Sequence, residues 1–171
     1  MTGPVAVLVG PMGVGKTTVG ELIAAELGTT CRDTDADIVA AQGRSIADIF
    51  VEDGEAHFRA LEAEAVRAAL TEHDGVLALG GGTILNDDTR KMLTGLPVVF
   101  LDMGVAEAVK RVGLDTARPL LAVNPRQKWR ELMEARRPLY TEVARAVVST
   151  EGRTAEEVAE LVLTELELKT A

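Results

Sequence analysis

The sequence has little cysteine, few aromatic side chains and a deficit of positive charge. Cys31 is the single cysteine among 171 residues, which excludes an internal disulfide and a metal cluster held by several thiolates. Aromatic residues make up 3% of the chain, so the core must be built from Val, Leu, Ile and Ala. With 27 acidic and 18 basic residues the net charge is −9, which argues against non-specific binding to nucleic acid or to an anionic membrane.

Membrane-spanning and targeting segments are also missing from the sequence. No apolar run reaches transmembrane length, and the N-terminus has no basic region followed by a signal-type apolar stretch. We therefore expect a cytoplasmic protein, and we expect a monomer because no long coiled-coil stripe is present. Since no repeat, low-complexity tract or linker interrupts the chain, residues 1–171 are expected to form one domain.

The most informative segment that is present runs from Gly10 to Thr17 and reads GPMGVGKT. It fits the phosphate-loop pattern G-x-x-x-x-G-K-[ST] at every fixed position. An apolar run over residues 5–9 predicts a buried strand before it, and a helical pattern that ends at Gly28 follows it. A glycine-rich turn without chemical meaning is the alternative, but this context favours a loop whose N–H groups bind a polyphosphate.

The residue types of this loop predict their roles. Lys16 brings a compact positive charge to the β- and γ-phosphates of a nucleotide, and Thr17 offers a hydroxyl to Mg2+, which prefers hard oxygen ligands. Thr18 continues the helix start and is a candidate contact of the α-phosphate. The predicted nucleotide-binding residues of the loop are Gly13, Val14, Gly15, Lys16, Thr17 and Thr18.

Strand-like and helix-like segments alternate along the rest of the chain. Strands are predicted over residues 5–9, 30–34, 75–79, 97–101 and 146–149. Helices are predicted after the phosphate loop, from Ser45, over 54–70, 87–94, 105–112 and 127–136, and after a capping box at 154–157. The alternation predicts an α/β protein with a five-stranded parallel sheet flanked by helices, and a site beyond the carboxyl ends of the strands.

Residues 113–125 lack a strong pattern and contain Arg118. An irregular segment beside a phosphate site is a candidate for a mobile lid that excludes water, although an ordinary surface loop has the same pattern. The sequence leaves both interpretations open at this point.

Asp33 and Asp35 flank Thr34 at the end of the second predicted strand. Since residues i and i+2 of a strand share a face, we expect the two carboxylates to converge near a magnesium-bound phosphate. A solvated acidic turn is the alternative, which the neighbouring phosphate loop makes less favourable. A carboxylate at this place can orient an acceptor hydroxyl and accept its proton during phosphoryl transfer.

Three glycines, Gly80, Gly81 and Gly82, directly follow the third predicted strand. They permit a ligand to approach the backbone closely, whereas the alternative is a flexible turn. Asp102 ends the fourth predicted strand and is a competing candidate for binding Mg2+. We expect the third strand to lie beside the loop strand, which argues against Asp102.

These motifs resemble those of the shikimate kinase family across nearly the whole chain. Besides the phosphate loop, the matching segments are Asp33 to Asp35 (DTD), Gly54 to Arg59 (GEAHFR), Leu79 to Gly82 (LGGG), Arg118 to Leu121 (RPLL) and Arg136 to Tyr140 (RRPLY). The resemblance implies a three-layer α/β/α P-loop kinase fold with a mobile lid. It also implies an enzyme of aromatic amino-acid biosynthesis that uses ATP and Mg2+ to convert shikimate to shikimate 3-phosphate.

The resemblance further implies roles for the acceptor-binding residues. Asp35 would hold ring hydroxyls and serve as the base, while Arg59 and Arg136 would bind the acceptor carboxylate. Arg137 leaves open which arginine of the pair makes that contact. The glycines Gly80, Gly81 and Gly82 would lie against the ring.

For the nucleotide, the resemblance implies that Asp33 reaches Mg2+ through water. Arg118 would meet the transferring phosphoryl group when the lid closes, and Arg111 and Arg153 match positions near the adenine. Two other functions remain open. A kinase for another polyol acid such as gluconate would share the phosphate loop, and a nucleotide-binding switch would be expected to carry N-K-x-D and D-x-x-G motifs, which this sequence lacks.

Overall fold

The computed structural model of the protein describes residues 3–104, 107–108 and 125–168. Arg111, Arg118 and the candidate lid up to residue 124 lie outside the described residues, as does most of the helix predicted over 105–112.

One parallel sheet forms the centre of the fold, as predicted. Its strands are β1 (Ala6–Val9), β2 (Cys31–Asp33), β3 (Val76–Ala78), β4 (Val98–Asp102) and β5 (Ala146–Ser149). The strand order is β2-β3-β1-β4-β5, so β1 is central and pairs with both β3 and β4. All four residues of β1 are fully buried, which explains why this strand is a continuous apolar run.

Seven helices are present in the described part of the chain. They are α1 (Lys16–Leu27), α2 (Thr34–Gln42), α3 (Ile46–Asp53), α4 (Glu55–Glu72), α5 (Asp87–Leu93), α6 (Pro125–Val143) and α7 (Ala155–Glu165). Helices α1 and α7 pack together on one side of the sheet, and α5 and α6 pack together on the other. The three-layer α/β/α architecture is therefore confirmed. None of these helices is both long enough and apolar enough to span a membrane.

Local capping explains several helix ends. Gly28 has φ 71° and ends α1, as predicted, because glycine adopts the left-handed conformation without a Cβ penalty. The Ser45 side chain accepts a hydrogen bond from Asp48 N at the start of α3. The predicted capping box before α7 is also confirmed: Thr154 Oγ1 accepts from Glu157 N, and the Glu157 carboxylate accepts from Thr154 N.

Two helices differ from the sequence prediction. Helix α2 was not predicted, and it begins where strand β2 had been expected to continue to Thr34. Helix α6 runs to Val143 rather than ending at Arg136, and Pro138 lies inside it. The proline does not end α6 because burial of Tyr140 and Val143 stabilises the turn that follows it.

A small second core supports the part of the fold between β2 and β3. Ile38 of α2, Ile49 of α3 and Phe58 of α4 are buried together, apart from the main core on the sheet. Phe50 packs on Phe58 with ring centroids 4.9 Å apart. This core fixes α2, α3 and α4 relative to one another beside the carboxyl ends of the strands.

Cys31 is half-buried in β2, and we expect it to be chemically inert. Burial raises the pKa of its thiol to about 11, and the negative charges of Glu21 and Asp33 add to the effect. Because only the thiolate is nucleophilic, a pKa of about 11 in place of 9.0 lowers the thiolate fraction about 100-fold. Alkylation by iodoacetamide at pH 8 should therefore be about 100-fold slower in the folded protein than in urea. Equal rates in the two states would contradict this expectation.

Candidate active site

A cavity of about 280 Å³ connects the phosphate loop to the second core at the carboxyl ends of β1, β2 and β3. Most of the predicted site residues line it together: Gly13, Gly15, Lys16, Thr17, Thr18, Asp33, Asp35, Arg59, Gly81, Gly82 and Arg136. Ile46, Ala47 and Phe50 form an apolar wall that the sequence analysis did not assign to the site. The cavity is thus cationic and glycine-rich at one end and carries both acidic and basic groups at the other.

The phosphate loop has the backbone conformation that its glycines permit. Gly13 has φ 81° and Gly15 has φ 95°, which are left-handed values that favour glycine. Lys16 Nζ donates to the carbonyl oxygens of Gly10 at 2.8 Å and Pro11 at 3.0 Å. The ammonium group is therefore held over the loop, where its positive charge would attract a polyphosphate.

Asp33 joins the phosphate loop to helix α2. Thr17 Oγ1 donates to Asp33 Oδ2 at 2.5 Å, and Asp33 Oδ1 accepts from Asp35 N at 2.8 Å and Ala36 N at 3.3 Å. The expectation that the two carboxylates share a strand face was wrong. Asp33 ends β2 and caps α2, so Asp35 lies in the first turn of a helix, because the Asp33 side chain satisfies the free N–H groups of that turn.

The triple glycine makes room for protein side chains. A Cβ on Gly80 would lie 2.5 Å from Asp35 Oδ1, and a Cβ on Gly82 would overlap the Arg59 guanidinium. Gly80 N also donates to Thr34 Oγ1 at 3.3 Å. Gly80 is buried beneath Asp35, whereas Gly81 lines the cavity. The backbone at these glycines therefore fixes the positions of Asp35 and Arg59.

Arg59 is held by two carboxylates of its own helix. Its Nη1 donates to Glu62 Oε1 at 2.9 Å, and its Nε and Nη2 donate to Glu55 Oε2 at 3.3 and 3.2 Å. Glu62 is only 3% exposed and lines the cavity. Burial raises the pKa of Glu62, while the charge of Arg59 opposes that rise.

Glu62 was missed in the sequence analysis. The available signal was its spacing of three residues from Arg59, which places both on one face of a helix, next to the buried Phe58. Glu55 forms an ion pair with Arg59, and His57 Nε2 lies 3.6 Å from Asp53 Oδ2, so both residues are occupied by contacts near the start of α4.

The structure separates Arg136 from its neighbour Arg137. Arg136 is 4% exposed and lines the cavity, whereas Arg137 donates to Asp102 and lies 6.0 Å from the centre of the Phe100 ring. The strand-order argument against Asp102 was incomplete, because β4 flanks β1 just as β3 does. The stronger argument against Asp102 as a magnesium ligand is its ion pair with Arg137, together with its absence from the lining of the cavity.

A smaller cleft of about 160 Å³ lies on the outer side of the phosphate loop. Val14, Gly15 and Thr18 line it together with Arg153. Arg153 Nη1 donates to Ser149 O at 2.7 Å, at the end of β5. The structure therefore places Arg153 next to the predicted phosphate-binding residues.

Comparisons with known proteins agree with this geometry. The family model described as shikimate kinase matches residues 12–167. The chain is 70% identical to a shikimate kinase of Streptomyces avermitilis and 68% identical to one of Streptomyces coelicolor, and each alignment covers 100% of both chains.

Solved structures agree with the sequence relatives. The fold matches a shikimate kinase from Acinetobacter baumannii in complex with shikimate at a TM-score of 0.92 and 37% identity, over 100% of this chain and 97% of that one. A gluconokinase from Sinorhizobium meliloti matches at a TM-score of 0.59 and 22% identity, over 95% of this chain and 91% of that one, and supports the fold alone.

Proposed function

Since the chain belongs to the shikimate kinase family, we propose that its cavity transfers the γ-phosphoryl group of ATP to the 3-hydroxyl of shikimate. The products are shikimate 3-phosphate and ADP, within chorismate and aromatic amino-acid biosynthesis. The observation that carries this proposal is one continuous cavity with Lys16 at one end and Asp35, Arg59 and Arg136 at the other.

The nucleotide phosphates fit the loop from Gly13 to Thr18. Lys16 would turn from the Gly10 and Pro11 carbonyls to the β- and γ-phosphates, because these carry more negative charge than a carbonyl oxygen. The cleft beside Arg153 is the proposed site of the adenine. We assign Arg111 and Arg118, together with a lid over roughly 113–125, to the same nucleotide site from the family resemblance.

The residues at Thr17 and Asp33 fit Mg2+. Their side-chain oxygens are 2.5 Å apart and are hard ligands, which this ion prefers. The residues that the structure describes contain no group of three acidic, His or Cys side chains suited to a metal, so phosphate and water oxygens would complete the coordination. Held by Thr17 and Asp33, the ion would supply positive charge that offsets the charge developing on the transferred group.

The acceptor end suits a hydroxylated carboxylic acid. Arg59 and Arg136 provide forked N–H donors for the carboxylate, and Glu62 holds one edge of Arg59 in place. Asp35 lies at the N-terminus of α2 and accepts the hydroxyl proton as the oxygen attacks the γ-phosphorus. The proton ends on the Asp35 carboxylate, and ADP leaves with the electron pair of the broken bond between the γ-phosphorus and the bridging oxygen.

Coupled measurement of ADP release tests this function directly. ATP turnover should depend on shikimate and should be near background without an acceptor or with gluconate. Turnover with gluconate in place of shikimate would favour the other kinase. A strong preference for GTP without any acceptor-dependent turnover would favour a nucleotide-binding switch.

We propose that the enzyme acts as a cytoplasmic monomer on small molecules, with no nucleic-acid or membrane partner. The net charge of −9 supports the absence of nucleic-acid binding. Light scattering at micromolar concentration should give a mass of about 18.1 kDa, and a mass near twice that value would contradict the monomer.

Replacing Arg59 with alanine is expected to raise the KM for shikimate by about 10- to 150-fold, since a hydrogen bond between charged groups contributes about 1.5–3 kcal/mol. The change in kcat should be much smaller, because the carboxylate does not take part in the transfer. Arg67→Ala is the matched control, since Arg67 lies on the same helix and pairs with the exposed Glu64. A shikimate KM that is unchanged in a folded Arg59→Ala protein would remove Arg59 from the acceptor site.

A further inference from the structure

Tyr140 is a fully buried residue of α6 whose hydroxyl contacts a glycine that lines the acceptor end of the cavity. Its ring stacks on Phe100 of β4, with centroids 4.8 Å apart and planes inclined by 26°. The side chain is 0% exposed, and its hydroxyl donates to the carbonyl oxygen of Gly81 at 2.6 Å. A buried tyrosine needs such a partner, and here the partner is a cavity-lining glycine of the sequence Gly80 to Gly82.

Tyr140 follows Arg136 by four residues, so both side chains lie on the same face of α6. The hydroxyl has one proton, which it gives to Gly81, and its oxygen can still accept a hydrogen bond. Burial raises the pKa of Tyr140 to about 12, while the charge and hydrogen bonding of Arg136 oppose this rise. The phenol thus stays protonated at neutral pH and remains a donor to Gly81.

Arg136 and Gly81 are neighbours at the acceptor end of the cavity, and the Tyr140 hydroxyl binds Gly81 there. Arg136 Nη1 would be 3.7 Å from a Cβ placed on Gly81. Arg136 comes from α6, whereas Gly81 follows β3, so their relative position depends on how these two elements are joined. The hydrogen bond from Tyr140 to Gly81 links α6 to the segment that follows β3.

We infer that Tyr140 is a positioning residue of the acceptor site, whose hydroxyl fixes the Arg136 guanidinium and the Gly81 backbone relative to each other. This inference rests on the proposed acceptor function of the cavity. This bond holds Arg136 in its binding geometry before the acceptor arrives. Less conformational entropy is therefore lost when the acceptor carboxylate binds. Tyr140 does not itself touch the reacting atoms.

Tyr140→Phe tests the inference, because it removes one oxygen and keeps the ring stacked on Phe100. We expect the KM for shikimate to rise about tenfold, the size of one lost hydrogen bond, while the KM for ATP and kcat change less than about twofold. Thr141→Val is the matched control: it removes a hydroxyl from the same helix that donates only to the Arg137 carbonyl. The control should leave both KM values unchanged.

The methyl ester of shikimate separates positioning from a general structural role. The ester weakens the ionic contact with Arg136, so its KM should exceed that of shikimate in the wild-type enzyme. In Tyr140→Phe this ratio should shrink by about the same tenfold factor, since the hydroxyl acts through the carboxylate contact. A ratio that equals the wild-type value overturns the inference, whatever happens to thermal stability.

The assay also distinguishes this inference from the function on which it rests. Wild-type enzyme without shikimate-dependent turnover would contradict the proposed function. Wild-type turnover with the expected Arg59→Ala defect, but a wild-type shikimate KM in Tyr140→Phe, would overturn the role of Tyr140 alone.

Discussion

Lys16→Met is expected to lower kcat for shikimate-dependent ADP release by about three orders of magnitude or more. Methionine keeps most of the length and the apolar stem of lysine, so the change removes chiefly the positive charge. That charge lies over the phosphate loop, within 3.0 Å of the Gly10 and Pro11 carbonyls. Without it, the negative charge that spreads over the transferred phosphoryl group loses a fixed neighbouring cation.

Lys128→Met is the control for this experiment, because Lys128 is exposed on α6 and does not line the cavity. It should turn over at the wild-type rate. Thermal unfolding of both variants checks that the loop remains folded, since Lys16 also binds two of the loop's carbonyls. A Lys16→Met enzyme that keeps a tenth of the wild-type kcat would exclude the proposed role of the ammonium group.

Asp35→Asn is expected to reduce kcat by about 100- to 10,000-fold, the range typical of losing a general base. Asparagine has nearly the size of aspartate and preserves packing against Gly80, but it cannot accept the hydroxyl proton. The KM for ATP should change little, because Asp35 lies at the acceptor end.

Asp37→Asn is the matched control for Asp35→Asn. Asp37 lies in the same first turn of α2, but its carboxylate accepts from Arg32 Nε at 2.7 Å and does not line the cavity. Both variants remove one negative charge near the helix N-terminus, so helix-dipole effects should be similar. If the two variants are equally active, Asp35 orients the acceptor at most and is not its base.

The phosphate loop and the sheet were predicted well because their signals are local. In the loop, the residue types and their spacing themselves determine the chemistry, and the buried strands are short apolar runs bounded by glycine or polar residues. The prediction that Asp33 and Asp35 share one face of a strand failed for a local reason too, although both line the cavity. An aspartate at the end of a strand is also a good N-cap, and capping of α2 outweighed one further residue of strand.

Residues whose role depends on distant contacts were hard to assign from the residue pattern alone. The family resemblance named Arg136, but Arg137 has the same side chain, and the packing of α6 against β4 places one in the cavity and the other beside Asp102. Tyr140 meets a carbonyl 59 positions away along the chain. Glu62 resembles a surface residue of a charged helix until its burial is known. Such partnerships follow from the assembled fold and leave no local pattern.

The overlaps described at Gly80 and Gly82 limit how the acceptor preference of this enzyme can be redesigned. A side chain added at either position would push Asp35 or Arg59 out of place, so a library of variants there would sacrifice activity before reaching new selectivity. Ile46 and Ala47 line the same cavity, whereas Phe50 lies 5.9 Å from the Arg59 guanidinium and supports it. Efforts to accommodate bulkier ring acids should therefore begin at Ile46 and Ala47 and leave the glycines and Phe50 as they are.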